Sequence, residues 1–242
     1  MDSRQFPTAG RPFVIGHRGA SAHAPENSLA AFRMAATPDH AGSCDGVELD
    51  LQTTADGEFV VHHDPALCSG EVIGAVPLGM VRATRLEDGS RVPTLAEALV
   101  SLRGVEVFIE AKSLPRGATS GLVSQLRACR DVRCHVHAVD HRIIARLRHR
   151  DANLPLGVLS CSYPIDPIRQ VRDAGATTLW EEAYLIDEAL VVTCRRARIA
   201  LVAWTVNDRA EAERLTKLGV DGLCGDWPER LRQSSRESGA EW

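Results

Sequence analysis

Short apolar runs alternate with amphipathic segments along almost the whole chain. Runs of period two, or apolar throughout, predict strands at 13–16, 46–52, 106–111, 134–139, 156–160, 178–180, 201–206 and 222–224. Helical patterns fill the gaps at 28–36, 94–102, 120–130, 141–149, 167–174, 186–198 and 208–218. Asn27 is the expected N-cap of the first helix. Thr94 with Glu97 forms a capping box, and Gly175 and Gly219 sit where helices end. Eight strands alternating with helices predict parallel βαβ units. The alternation allows a closed barrel or an open doubly wound sheet.

One stretch breaks the rhythm. An extra strand is expected at 58–62, after the turn Thr54-Ala55-Asp56-Gly57. Residues 64–92 then show little pattern and are expected as a small insertion over the end of the sheet. Residues 1–12 and 233–242 read as tails, which leaves one domain over 13–232.

Bulk properties narrow the class. The 242 residues are 44% hydrophobic and 25% charged, an ordinary globular composition with length for one large α/β domain. The net charge of -4 is spread along the chain, without a basic block for nucleic acid or an anionic membrane. No apolar run reaches the roughly 18 residues of a membrane span. The first residues lack the apolar core of a secretory signal. Seven cysteines without CxxC pairs fit reduced thiols, so a cytoplasmic location is expected.

The polar residues inside the strands carry the chemistry. Alternation in Val47-Glu48-Leu49-Asp50-Leu51 puts Glu48 and Asp50 on one face. A parallel strand is normally covered on both faces, so two buried acids need a partner, and a cation is a natural one. In the next strand Glu110 shares a face with Phe108 and Lys112. A Glu–Lys ion pair is the simpler reading of that strand alone. Three carboxylates from adjacent strands suit a hard ion, Mg2+ or Ca2+, better than zinc. His17 and Arg18 follow the first strand, where barrel enzymes keep catalytic groups. The pair His62-His63 ends the extra strand, and only one of the two is expected to face the site. Imidazole titrates near neutrality, which suits base and acid on either side of a phosphodiester. His135-Val136-His137 offers an alternative, a zinc hydrolase, but no carboxylate lies close to it in sequence.

These motifs together resemble the glycerophosphodiester phosphodiesterases, over residues 13–231. The resemblance rests on His17-Arg18-Gly19, Pro25-Glu26-Asn27, Glu48-Leu49-Asp50, His63-Asp64-Pro65, Glu110-Ala111-Lys112 and Trp204-Thr205-Val206-Asn207, in that order. It implies a single-domain (β/α)8 TIM barrel. It implies that Glu48, Asp50 and Glu110 hold one divalent cation, Mg2+ or Ca2+ with Mn2+ a further option. By the same resemblance His17 and His63 are the acid/base pair, and Arg18 and Lys112 bind phosphate. Glu26 and Asn27 order the site, and Trp204 lines the pocket near the glycerol. The implied reaction converts a small glycerophosphodiester and water to sn-glycerol 3-phosphate and an alcohol. Whether water or the substrate's 2-hydroxyl attacks, which histidine is the acid, and the oligomeric state stay open.

The chain departs from the family pattern at Cys68-Ser69-Gly70, at Ala138-Val139 beside His137, and at Cys224-Gly225-Asp226. Those positions bear on the alcohol released. A lysophospholipid-cleaving version of the same barrel would carry an apolar rim, for which Val76, Leu78 and Met80 are candidates. A barrel that only binds phosphodiesters would have lost carboxylates, and none is lost.

Overall fold

In the computed structural model, residues 11–38, 40–86 and 88–237 are described. The barrel alternative is the observed one. Its strands are β1 (Phe13–Gly16), β2 (Gly46–Thr53), β4 (Glu106–Ala111), β5 (Cys134–Ala138), β6 (Leu156–Ser160), β7 (Thr178–Glu182), β8 (Ala200–Trp204) and β9 (Gly222–Gly225). They run parallel, and β1 pairs with both β9 and β2, which closes the ring. The extra strand β3 (Phe59–Val61) pairs antiparallel to β2.

The helices between strands are α1 (Leu29–Ala36), α3 (Leu95–Ser101), α4 (Thr119–Ala128), α5 (His141–Arg150), α6 (Pro167–Asp173), α7 (Glu188–Ala197) and α8 (Arg209–Leu218). The short α2 (Leu78–Val81) belongs to the insertion, and α9 (Pro228–Glu237) ends the chain. Residues 233–237 therefore continue a helix instead of forming tail. The remaining tail positions, 1–10 and 238–242, fall outside the described residues.

Alternation along each strand builds two separate cores. Val47, Leu49, Leu51, Val107, Ile109, Val136 and Val158 face outward and pack under the helices. Phe13, Ile15, Phe108, Leu159, Trp180, Val202 and Cys224 fill the barrel interior. The polar residues predicted to share a face, Glu48, Asp50 and Glu110, continue that interior row and are buried. An apolar plug thus seals the barrel below, and the charged residues collect above it at the C-terminal strand ends, where barrel active sites form.

The insertion packs around its own cluster of Val60, Leu67, Ile73, Val81 and Val92. Val76 and Leu78, candidates for an apolar rim, pack against this cluster instead. Met80 alone of those candidates is exposed. The first helix also begins one residue later than expected. Its cap is Ser28, whose hydroxyl accepts from the Ala31 amide at 3.1 Å, because the Asn27 side chain is turned inward to Asp50.

The capping box on α3 forms as expected, and Arg82 of the insertion clamps its carboxylate at 2.5 and 2.9 Å. Arg82 holds the Glu97 carboxyl down at about 2. A folded value below the unfolded one contributes stability that is present above about pH 4.3 and is lost as the pH falls toward the folded value. Glu97→Ala is expected to lower stability at pH 7 by about 1–2 kcal/mol, through loss of the cap and the ion pair. Urea unfolding at pH 7 and pH 3 checks this: the gap between wild type and variant narrows at the lower pH.

Candidate active site

Sheet register assembles the site. Asp50 lies opposite Glu110, and Glu110 opposite His137, so one row crosses β2, β4 and β5. Glu48 sits one interior step below Asp50. Ligand atoms of Glu48, Glu110 and His137 all lie within 4.8 Å of one another, and all three side chains are buried. His137, set aside on sequence grounds, thus belongs to the cluster. Its sequence neighbours carry no acid, but the neighbouring strand does. His135, one interior step lower, pairs instead with Glu106 at 2.7 Å and stacks on Phe108.

Asp50 is drawn to a different set of partners. Lys112 Nζ lies 3.3 Å from one carboxylate oxygen, and Arg18 Nε lies 3.2 Å from the other. Asn27 donates to Asp50 at 2.8 Å and accepts from the Asp50 backbone amide at 3.2 Å. Lys112 also reaches Glu110 at 2.9 Å, so the ion pair read as the simpler alternative exists within the larger cluster.

Two residues of the site adopt left-handed backbone. Arg18 and Asn27 both have φ of 56°, a conformation that non-glycine residues hold only when neighbours enforce it. The enforcement is visible. The Arg18 amide donates to Glu48 at 3.0 Å, and the Asn27 amide donates to the Arg18 carbonyl at 3.0 Å. The Arg18 side chain reaches Glu26 at 2.7 Å. Gly19 follows with φ 89°, and a Cβ there would come within 2.8 Å of Ala31, so only glycine fits against α1.

The histidines are each held by a carboxylate. His17 Nδ1 lies 2.8 Å from Asp226 at the end of β9. Ser21 and Asn207 donate to the same carboxylate at 3.0 and 2.6 Å. Burial by itself would raise Asp226, but the bonds from His17, Asn207 and Ser21 bring it down to about 2. A carboxylate can only accept, so Nδ1 carries the proton and Nε2 is left for chemistry. His63 Nδ1 makes the equivalent bond to Asp64 at 2.8 Å. Gln52 fixes that loop by donating to the carbonyls of His63 and Asp64 at 3.1 and 3.2 Å. His63 lies near enough for its charge to lower Asp50 and Glu110. His62 borders a cavity of about 780 Å³ that also touches His17, Arg18, Glu26, Arg85 and Trp227. His62 thus lines that cavity, whereas His63 acts on the buried carboxylates. Trp204 sits at the end of β8, packed against the interior cluster, with Nε1 unbonded.

Burial and like charge set the electrostatics of the cluster. Burial, then the charges of Asp50 and Glu110, push Glu48 well above the usual carboxylate range. Burial and Asp50 also raise Glu110, against the pull of Lys112. Burial raises Asp50 too, but Lys112, Arg18 and Asn27 outweigh it, and Asp50 stays below its ordinary value. Burial takes His137 down to about 3, so its ring is neutral.

The sequence model of the glycerophosphoryl diester phosphodiesterase family matches residues 17–230. The chain belongs to that family. It is accordingly a hydrolase of the glycerophosphodiester phosphodiesterase class. It is 30% identical to a glycerophosphodiester phosphodiesterase of Caldanaerobacter subterraneus, across 95% of this chain and 100% of that one. A putative glycerophosphodiester phosphodiesterase of Bacillus subtilis is 27% identical, across 90% and 95%. In fold it is similar to a putative family member from Silicibacter pomeroyi, with TM-score 0.87, 23% identity and coverage of 98% and 97%. A phosphodiesterase of Oleispira antarctica, whose structure holds the product sn-glycerol 3-phosphate, superposes with TM-score 0.85 at 22% identity, covering 93% and 96%.

Of the site residues expected from sequence, His17, Arg18, Glu26, Asn27, Glu48, Asp50, His63, Glu110 and Lys112 gather at one end of the barrel, while Trp204 packs against the apolar interior cluster. Sequence reasoning missed His137, Gln52 and Asp226. Lys112 is the cation shared by two of the buried acids. Lys112→Met is expected to destabilise the metal-free protein by about 2 kcal/mol, because a buried carboxylate loses its partner. Urea titrations should show that gap narrowing as the pH falls into the acid range and Asp50 and Glu110 take up protons.

Proposed function

We propose that the chain hydrolyses glycerophosphodiesters to sn-glycerol 3-phosphate and an alcohol, using one divalent cation and two histidines. The observation that carries this reading is the charge balance of the interior row. Glu48, Asp50 and Glu110 are opposed at close range by the two permanent cations Arg18 and Lys112, and a phosphodiester would bring a further negative charge. A divalent cation on the three carboxylates would cancel that excess, and the closeness of the Glu48 and Glu110 ligand atoms supports the fit. When bound, it would polarise a phosphoryl oxygen and favour ionisation of an attacking hydroxyl.

The protein's own groups do the rest. Arg18 and Lys112 offset charge that gathers on the phosphoryl oxygens. His17 and His63, each with Nδ1 engaged by a carboxylate, present Nε2 for proton transfer. One accepts the proton of the attacking oxygen, and the other protonates the departing alkoxide. Glu26 and Asn27 hold Arg18 and Asp50 in place, and Trp204 offers an apolar wall for the glycerol. The product bound by the Oleispira antarctica relative supports glycerol phosphate as the part retained here.

A second reading concerns the alcohol. Val139, Tyr163, Ile165 and Tyr184 are exposed on the segments that follow β5, β6 and β7, on the mouth side of the barrel. Ile165 is fully exposed, at 108%. Such a rim favours an alcohol with an apolar portion, as in lysophospholipids. Of the insertion's candidates for such a rim, Met80 is exposed, whereas Val76 and Leu78 pack into the insertion's own cluster.

His17→Ala and His63→Ala are each expected to lower kcat by about 10²- to 10⁴-fold on glycerophosphocholine, with release of glycerol 3-phosphate as the assay. Exhaustive chelation abolishes turnover, and a divalent cation restores it. Full activity after chelation, or in H17A, would sink the mechanism. Turnover of lysophosphatidylcholine above that of glycerophosphocholine would favour the lipid reading. Asp226→Asn should lower kcat about 10²-fold with little change in KM, because the variant amide no longer fixes the His17 tautomer.

A further inference from the structure

β5 brings into the barrel a nitrogen donor that the carboxylate mechanism does not use. His137 lies in the same row as Asp50 and Glu110, with one ring nitrogen among the atoms clustered with Glu48 and Glu110. Its ring lies flat on Trp180, with centroids 4.1 Å apart and planes 9° apart. Gly157 permits this packing, since a Cβ there would come within 3.1 Å of His137 Cβ and 3.0 Å of the Trp180 ring. The ring is therefore fixed in position and plane. The residue is 1% exposed, and its Nδ1 has no hydrogen-bond partner among the described residues. Buried polar atoms are almost always satisfied, so an unpartnered nitrogen on a ring that reaches two buried acids points to a ligand there. His135 supplies the contrast: it points into the same barrel and is satisfied by Glu106.

We propose that His137 is a nitrogen ligand of the cation held by Glu48 and Glu110, and that the centre therefore favours a first-row transition-metal dication over Mg2+ or Ca2+. The inference rests on the metal-centre reading above and replaces its hard-ion expectation. Mg2+ and Ca2+ are served by oxygen alone, whereas imidazole strengthens binding of Mn2+, Fe2+, Co2+ or Zn2+. Stacking on Trp180 adds to the selectivity by holding the donor in one orientation before the ion arrives.

Mn2+ is the probe. Added below stoichiometry to chelator-stripped protein, it is examined by electron spin echo envelope modulation. The expected spectrum carries imidazole nitrogen modulation that survives in H17Q, H62Q and H63Q and disappears in H137Q while Mn2+ stays bound. In parallel, the Mg2+ concentration that displaces half of the Mn2+ should fall at least ten-fold in H137Q. Bound Mn2+ without nitrogen modulation, or modulation that persists in H137Q, overturns the inference and leaves the carboxylate centre standing. Failure of the wild type to bind Mn2+ overturns both. Should H137Q not fold, nitrogen modulation that survives in H17Q, H62Q, H63Q and H135Q decides by elimination among the histidines of the barrel and its mouth.

Discussion

Three carboxylates buried on adjacent strands are the constraint around which this molecule is arranged. Glu48, Asp50 and Glu110 sit above an apolar plug, far from bulk water, and repel one another. Two fixed cations relieve part of that repulsion and hold Asp50 ionised. The remainder is stored as an affinity for positive charge. A soluble core would replace such residues with apolar ones at no loss of stability. Their retention makes sense as a centre that a cation and an anionic diester complete together.

The surrounding backbone serves that centre at a cost. Arg18 and Asn27 both take left-handed conformations, and each is locked by the carboxylate it serves: Arg18 through its amide to Glu48, Asn27 through its amide group to Asp50. Gly19 then lets α1 approach the end of β1 closely at Ala31. On the other side, Asp226 gathers His17, Ser21 and Asn207, so the ends of β1, β8 and β9 meet at one carboxylate. Rigid strands thus place the acids, and short strained turns place the cations and the imidazoles around them.

Much of this was legible in the sequence, and for a physical reason. Period-two alternation is a local property, so it placed Glu48 with Asp50 and Glu110 with Lys112 without knowledge of the fold. The strand–helix rhythm likewise predicted the barrel's eight parallel strands, and the ordered motifs chose closure over an open sheet. What escaped depended on register or on distance along the chain. His137 meets Glu110 only because β4 and β5 pair in one register. Asp226 meets His17 across 209 positions, at the seam where the barrel closes. Asn27 looked like a helix cap because its type suits one, but Asp50 competes for its side chain and wins. Val76 and Leu78 looked like a rim because the insertion's private core has no periodic signature.

The central claim is that the interior acids form a cation site. Anomalous diffraction from crystals grown with Mn2+ and glycerol 3-phosphate tests it directly, because the map locates the ion without assumptions about chemistry. The account predicts one strong peak in contact with Glu48 and Glu110, with a phosphate oxygen beside it. An empty cluster, or a peak at His135 and Glu106 instead, would contradict it.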